Sequence, residues 1–257
     1  MKAPYFSIVI PTLNEQEYLP DLLTDLSKQT FANFEVIVCD GYSEDQTKTR
    51  ALSFSKKLKI RVIQSKIRNV AVQRNKGAQA ATGEWIIFND ADNRLPKNFL
   101  ADTAKMIAKK SSEVFTCWTV CHSDDPLAHV IITYLNMSSD VTRILGSGAA
   151  LGALIGIRRQ IFRSSPGFNP TVGYAEDTDF IRWLTKKGYH FDVFHKPTYI
   201  YSLRRVKKMG AMRFITETSK LYDKFIRNRP VNQKEEYPMG GHMFPKSPGN
   251  TKKQRTG

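Results

Sequence analysis

Apolar runs of strand length alternate with stretches in which apolar residues return every three or four positions, and that alternation organises the first half of the chain. Phe6-Ser-Ile-Val-Ile10 reads as a buried strand closed by Pro11. Asn14, a capping residue with Glu17 three positions on, opens a helix whose Leu19, Leu22, Leu23 and Leu26 share one face. Phe34-Glu-Val-Ile-Val-Cys39 is a second strand, and it ends in the turn-forming cluster Asp40-Gly41-Tyr42-Ser43-Glu44-Asp45, with a polar helix following to about Lys57. Residues 60–63 give a third strand, 70–81 a helix, and Trp85-Ile-Ile-Phe88 a fourth strand without a polar position, as coverage on both faces requires. Strands alternating with helices predict an α/β fold built on a mostly parallel sheet flanked by helices. Right-handed crossovers then bring the polar clusters after these strands to one carboxyl edge.

The second half is less regular. Pro96 opens a helix to about Lys110, and residues 114–120 form a strand. Residues 127–137 are apolar with interruptions and fit either a helix or a lid over the cleft. Residues 144–157 combine a Gly-rich loop with another strand, ending at Arg158-Arg159. Pro166-Gly-Phe-Asn-Pro170 is a turn, Glu176-Asp-Thr-Asp179 begins a helix that stops at Gly188, and residues 190–194 are a last short strand. From Val206 to about Arg227, apolar positions alternate with Lys and Arg as in a basic amphipathic helix. This helix either packs back on the domain or lays Met209, Met212, Ile215 and Phe225 into an anionic leaflet. The organisation expected is one domain over residues 1–229 and a disordered basic tail over 230–257, where large aliphatic residues nearly vanish.

Charge adds a partner class. The chain carries a formal +15, unevenly: residues 182–229 hold 13 Lys/Arg against three acids, whereas the first 181 residues are nearly balanced. A basic C-terminal part implies an anionic partner, whether a phosphorylated substrate, a membrane surface or nucleic acid. Cys39, Cys117 and Cys121 are odd in number and lie in apolar stretches, which predicts buried reduced thiols in the cytoplasm; Cys117-x3-Cys121-His122 lacks a second ligand pair for a metal site. The N-terminus has no signal-peptide pattern, and the longest uncharged apolar run, 14 residues, is short of a bilayer span. The expected location is cytoplasmic, with the inner face of the membrane as the alternative for a peripheral contact through 206–227.

Candidate chemistry gathers after the fourth strand, at Asn89-Asp90-Ala91-Asp92-Asn93. Two carboxylates at a sheet's carboxyl edge suit a hard divalent cation or a ribose. With 14 Asp in 257 residues roughly one Asp-x-Asp is expected by chance, and Asp177/Asp179 is a second, so the context carries the weight. That context is a series of motifs in order: Ser7-Ile-Val-Ile-Pro-Thr-Leu-Asn-Glu15, Val38-Cys-Asp-Gly-Tyr-Ser-Glu-Asp45, Arg74-Asn-Lys-Gly77 with Ala81-Thr-Gly-Glu84, Asp90-Ala-Asp92, and Gly173-Tyr-Ala-Glu-Asp-Thr-Asp179. Over about residues 5–205 the chain resembles the family 2 glycosyltransferases. The resemblance implies the Rossmann-like GT-A fold, with a nucleotide-sugar half over 1–110 and an acceptor half over 111–205.

The resemblance also implies roles. Pro11, Thr12, Asn14 and Glu15 would border a nucleobase or ribose, although a helix cap accounts for Asn14 as well. Asp40 would accept a hydrogen bond from the base. The family usually shows Asp-Asp-Gly-Ser here, so Tyr42 in Cys39-Asp40-Gly41-Tyr42-Ser43 is a departure that puts a contact from Ser43 in question. Arg74 would contact the nucleotide or hold Asp90. Asp90, with Ala91 beside it, would meet ribose or a metal-bound water, and Asp92 would coordinate Mg²⁺ or Mn²⁺ on the diphosphate. Arg204 and Arg205 would close over the phosphates. Asp177, paired with Glu176, would take the proton from the acceptor hydroxyl; the competing explanation is that acids are favoured in any first helical turn.

The implied partners are a nucleoside-diphosphate sugar and a saccharide or lipid-linked acceptor. Nucleic-acid binding is the alternative that charge permits, but no stacking platform or recognition motif accompanies it. Nucleotidyl transfer onto a sugar phosphate would require a Gly-rich, Lys/Arg-bearing loop that Pro11-Thr-Leu-Asn-Glu15 is not. The glycosyltransferase reading requires Asp40, Asp92 and Asp177 to meet around one cleft, none of them held in a buried ion pair.

Overall fold

The computed structural model describes residues 3–146, 148, 153–172 and 175–226, without the side chains of 221, 222 and 224–226. The expected disordered tail, residues 230–257, lies outside them. Seven strands form one sheet in the order β3-β2-β1-β4-β6-β5-β7. Strands β1 (Phe6–Thr12), β2 (Phe34–Asp40), β3 (Ile60–Gln64) and β4 (Trp85–Asn89) are mutually parallel where they pair. Strand β6 (Leu154–Arg158) runs antiparallel to both β4 and β5 (Val114–Val120), and β7 (Phe191–Ile200) pairs parallel with β5.

Alternation along the inner strands builds a core on each face. Phe6, Ile8 and Ile10 of β1, Val36 and Val38 of β2, and Trp85 and Ile87 of β4 join one cluster; Val9, Ile37, Cys39, Ile86 and Phe88 join the other. Each large side chain so buried contributes roughly 1.5–3 kcal/mol. The first face is covered by α1 (Leu19–Ser27) and α4 (Phe99–Lys110), the second by α3 (Val70–Ala80), α6 (Arg159–Arg163) and α7 (Glu176–Lys186). A Cβ on Gly77 would sit 2.3 Å from Val9 Cγ1, so only glycine lets α3 lie this close to β1.

Several details differ from the sequence reading or complete it. Asn14 does not cap the first helix, which begins at Leu19; its side chain accepts from Glu44 N–H at 2.8 Å instead. The polar helix after β2 is shorter than expected, α2 (Thr47–Leu52), because turns replace it beyond Ser53. Residues 127–137 belong to a 19-residue helix, α5 (Pro126–Ile144), capped by the Asp125 carboxylate on Leu127 N–H at 2.9 Å. Strand β7 runs six residues past the expected end, and Ile200 bridges to Arg94 beside the site. The basic helix is broken at Gly210, whose φ of 82° no helix accommodates, giving α8 (Arg204–Met209) and α9 (Ala211–Ile226). Phe214 is buried and Ile215 packs in the same cluster against Ile131, Ile132 and Leu135 of α5, so α9 turns apolar surface inward. Among the described residues no helix is long and apolar enough to cross a membrane.

Candidate active site

The carboxyl edge of β1, β2 and β4 collects the predicted residues. Thr12 and Asp40 are register partners at the ends of β1 and β2. The Asp40 carboxylate, buried, accepts from Ser43 Oγ at 2.5 Å and Ser43 N–H at 3.1 Å, and Ser43 Oγ in turn accepts from Asn14 N–H at 2.8 Å. Ser43 therefore joins the β1 and β2 loops despite Tyr42. The departure has a backbone cost: Tyr42 is left-handed with φ 61°, as are Asn14 at 53° and Ala175 at 63°. Three of the four left-handed non-glycine residues recorded thus stand in loops bordering this edge, where strain commonly marks function.

Strand β4 ends at Asn89, and Asp90–Asn93 turn, with Asn93 N–H bonded to Asp90 O at 3.3 Å. Asp90 faces Arg74, whose guanidinium donates to Asp90 Oδ1 at 3.0 Å and also to Glu176 Oε1. Arg74 rises from α3, is only 3% exposed at its side chain, and lies over the Phe168 ring. Residues 90 and 176, far apart in sequence, are thereby fixed on one cation. Asp177 follows at the start of α7 and accepts from Thr178 N–H at 2.5 Å. Burial pushes its carboxyl up to about 7, Glu176 adds to the rise, and Arg74 opposes it. Gly173 and Tyr174 of this motif lie outside the described residues.

A second arginine makes the other bridge. Arg204 donates to Glu15 through Nη1 at 2.8 Å and Nη2 at 2.7 Å, and its Nε meets Asp92 Oδ2 at 2.8 Å. The Tyr18 ring lies 4.7 Å from its guanidinium carbon. Asp92 is 12% exposed at its side chain, so this is an ion pair largely out of water: the condition that Asp92 be free of one is not met in this structure, and a metal role for Asp92 requires Arg204 to leave it. The cause is the length of β7, which delivers Tyr201 and the start of α8 onto the Asp90–Asp92 turn. Burial also raises Glu15 to about 7, against the pull of Arg204, with Asp92 and Asp90 adding to the rise. Arg205 lies close enough to Asp90 to lower its carboxyl, although burial leaves Asp90 raised overall.

Asp90 acts electrostatically on both Glu15 and Asp177, so Glu15, Asp90, Asp92, Glu176 and Asp177 form one field with Arg74, Arg204 and Arg205. Asp40 stands on the same edge, joined through Ser43 and the Asn14 loop rather than by direct contact. Asp90 and Asp92 are hard oxygen donors of the kind a divalent cation takes, and each now faces an arginine, Asp90 facing Arg74 and Asp92 facing Arg204. Among the described residues no three acidic, His or Cys side chains are gathered to enclose an ion alone. Substrate oxygens and water would have to complete its shell. Sequence reasoning missed Tyr18 and Tyr201; Tyr18 was signalled only by standing three positions after Glu15 at a helix start, and Tyr201 by nothing. The cysteines are free and buried as expected.

The sequence profile of glycosyl transferase family 2 matches residues 7–163. A PGL/p-HBAD biosynthesis glycosyltransferase of Mycobacterium bovis is 32% identical over 188 residues, spanning 70% of this chain and 69% of its own. Among solved structures, Staphylococcus aureus TarS residues 1–349 in complex with UDP-GlcNAc is 25% identical with a TM-score of 0.61, covering 77% of this chain and 58% of that one. The mannosyltransferase PcManGT of Pyrobaculum calidifontis, solved with GDP-Man and Mn²⁺, shares the fold at a TM-score of 0.67 and 21% identity over 90% of this chain and 67% of its own. The motifs, the mostly parallel sheet and these likenesses agree, and the chain belongs to glycosyl transferase family 2.

Proposed function

We propose that this glycosyltransferase takes its sugar from a nucleoside-diphosphate donor and transfers it with inversion, supported by Mg²⁺ or Mn²⁺, to a hydroxyl of a saccharide or lipid-linked acceptor. The observation that carries the reading is Arg74, which ties the Asp90 turn to Glu176 and so holds the donor-side and acceptor-side acids in one field. The complex of TarS with UDP-GlcNAc supports a nucleotide-sugar donor. In this reading residues 1–110 supply the nucleotide-sugar half and 111–205 the acceptor half of a domain spanning 1–229. A lipid-linked acceptor would bring residues 206–227 to a membrane surface, with Met212 exposed among them.

Each residue's part follows from its place. Pro11, Thr12, Asn14, Glu15 and Asp40 line the edge where a base and ribose would lie. Asp90, with Ala91, would meet ribose or a water, and Asp92 would hold the cation, which neutralises charge developing on the departing diphosphate. Arg204 would leave Asp92 and turn its planar fork to the phosphates, with Arg205 beside it. Asp177, raised to about 7 by burial, is poised to accept the acceptor's proton near neutral pH, with Arg74 favouring its ionised form and Glu176 opposing it. The deciding experiment is calorimetric titration with UDP, GDP, TDP and CDP sugars in Mn²⁺: one should bind and be turned over, and binding of none would remove the reading.

A further inference from the structure

Helix α3 meets β1 and β2 with the small residues Ala71, Gly77 and Ala78, yet the same helix also buries Gln73, which is 1% exposed. A glutamine amide is seldom taken out of water unless its hydrogens are matched. Both are: Nε2 donates to Thr12 O at 2.6 Å and to Cys39 O at 2.9 Å, and two carbonyl partners leave the amide only this orientation. Those carbonyls stand at the carboxyl ends of β1 and β2, where Gly41 N–H also donates to Thr12 O at 2.8 Å and the strands part into their loops. The amide adds a side-chain rung where the backbone ladder ends.

What the rung holds is backbone. Fixing the Thr12 and Cys39 carbonyls fixes the peptide planes that lead into Leu13 and Asp40, and so the direction in which each chain leaves the sheet. Asn14 and Tyr42 stand in the two loops with φ of 53° and 61°, a left-handed geometry that persists only where its surroundings enforce it. Ser43 then closes one loop on the other, taking Asn14 N–H and donating to Asp40. Position 41 has room for glycine alone, because a Cβ there would stand 2.8 Å from Gln73 Nε2 and 3.3 Å from Thr12 O. Gly41 and Gln73 are two sides of one contact. We propose that Gln73 is a positioning residue for the nucleotide-sugar donor, holding the loops of Asn14–Glu15 and Asp40–Ser43 in their binding geometry before the donor arrives. The inference rests on the donor reading given above and adds to it a residue that acts through the backbone. Arg74, next along α3, ties Asp90 to Glu176, so consecutive residues of one helix set the donor loops and the acids.

A strut that served stability alone would be read in melting temperature and not in affinity. The test therefore sets Gln73→Met, which keeps the side chain's length and removes both donors, beside Ser112→Ala, which removes a buried 2.6 Å hydrogen bond to Asp192 ahead of β5, at the opposite end of the sheet. Both full-length variants should melt a few degrees below wild type. In calorimetry with Mn²⁺ and whichever of UDP, GDP, TDP and CDP the wild type binds, Gln73→Met alone should bind about tenfold more weakly, the loss of preorganised loops. Gly41→Ala, which drives a methyl group against the same amide, should weaken binding equally, and the double variant should stay within about twofold of the weaker single one. Should Gln73→Met fail to fold, Gly41→Ala against Ser112→Ala decides in the same way. Wild-type affinity in Gln73→Met, an equal loss in Ser112→Ala, or losses that add in the double variant would overturn the proposal and leave the donor reading standing. A wild type that binds none of the four nucleotides would remove both.

Discussion

Two arginines hold the site, and they are built differently. Arg74 projects from the middle of a helix packed on β1 and β2, is almost wholly out of water, and bridges Asp90 to Glu176. Arg204 stands at the first position of a six-residue helix after an irregular stretch, is 18% exposed, and bridges Glu15 to Asp92. The first belongs to the scaffold, because its helix packs on the sheet and both its acidic partners are held on other elements. The second is a cation set on a carboxylate to which the proposed function gives another cation. A buried pair with both partners fixed resists the loss of either, while a pair on a short helix at the edge of the domain can exchange partners.

The Arg74 side should show the largest effect. Asp177→Asn keeps the volume and the bond to Thr178 N–H but removes the base, so turnover should fall about 10³-fold or more, with donor affinity held within a few-fold in calorimetry. Comparable turnover in the variant would refute the assignment. Arg74→Ala leaves Glu176 and Asp90 facing each other without their cation and should cost about 3–5 kcal/mol in denaturant unfolding. Arg204→Ala should cost roughly 1–2 kcal/mol, because Glu15, already raised to about 7, can take up a proton in place of the lost partner. Equal losses at the two arginines would erase the contrast between them.

The exchange of partners gives a subtler prediction. If Arg204 competes with the cation for Asp92, Arg204→Ala should bind Mn²⁺ several-fold more tightly in the absence of nucleotide, yet bind the nucleoside diphosphate more weakly in its presence. Asp92→Ala should lose the Mn²⁺-dependent part of nucleotide binding altogether. Calorimetry of both variants, with and without Mn²⁺, separates these outcomes, and unchanged Mn²⁺ affinity in Arg204→Ala would make that arginine another fixed strut.

The same contrast explains what could be read from sequence. The Arg74 side was legible because its residues sit on or beside regular elements: the Trp85–Phe88 run marked β4, residues 70–81 marked the helix that carries Arg74, and Glu176-Asp177 opened a helix with clear periodicity. The Arg204 side was legible in residue type alone. Its geometry depends on β7 continuing six residues beyond Phe194, through Lys196-Pro197, and on a bulge near Cys117 that shifts its register with β5. Neither leaves a periodic trace. The α5 surface was ambiguous for a related reason, since a helix apolar on both sides gives no alternation to show which face is covered.

The smallest effect is in pH, and it sets stability against activity. Glu15 and Asp177 are both raised to about 7, chiefly by burial, above the ordinary carboxylate range that they regain on unfolding. Between about pH 4 and 7 the folded chain therefore holds protons that the unfolded chain has released, so stability should increase as pH falls through 7. Catalysis needs Asp177 ionised, so kcat/KM should fall about tenfold per unit below pH 7 over the same window. Melting temperature should rise by a few degrees from about pH 8 to 6 while the rate declines, and Asp177→Asn and Glu15→Gln should each remove part of that rise. A rate that stays flat to about pH 5.5, or a melting temperature highest above pH 8, would show that these carboxyls are ionised throughout, held by Arg74 and Arg204 more strongly than burial opposes.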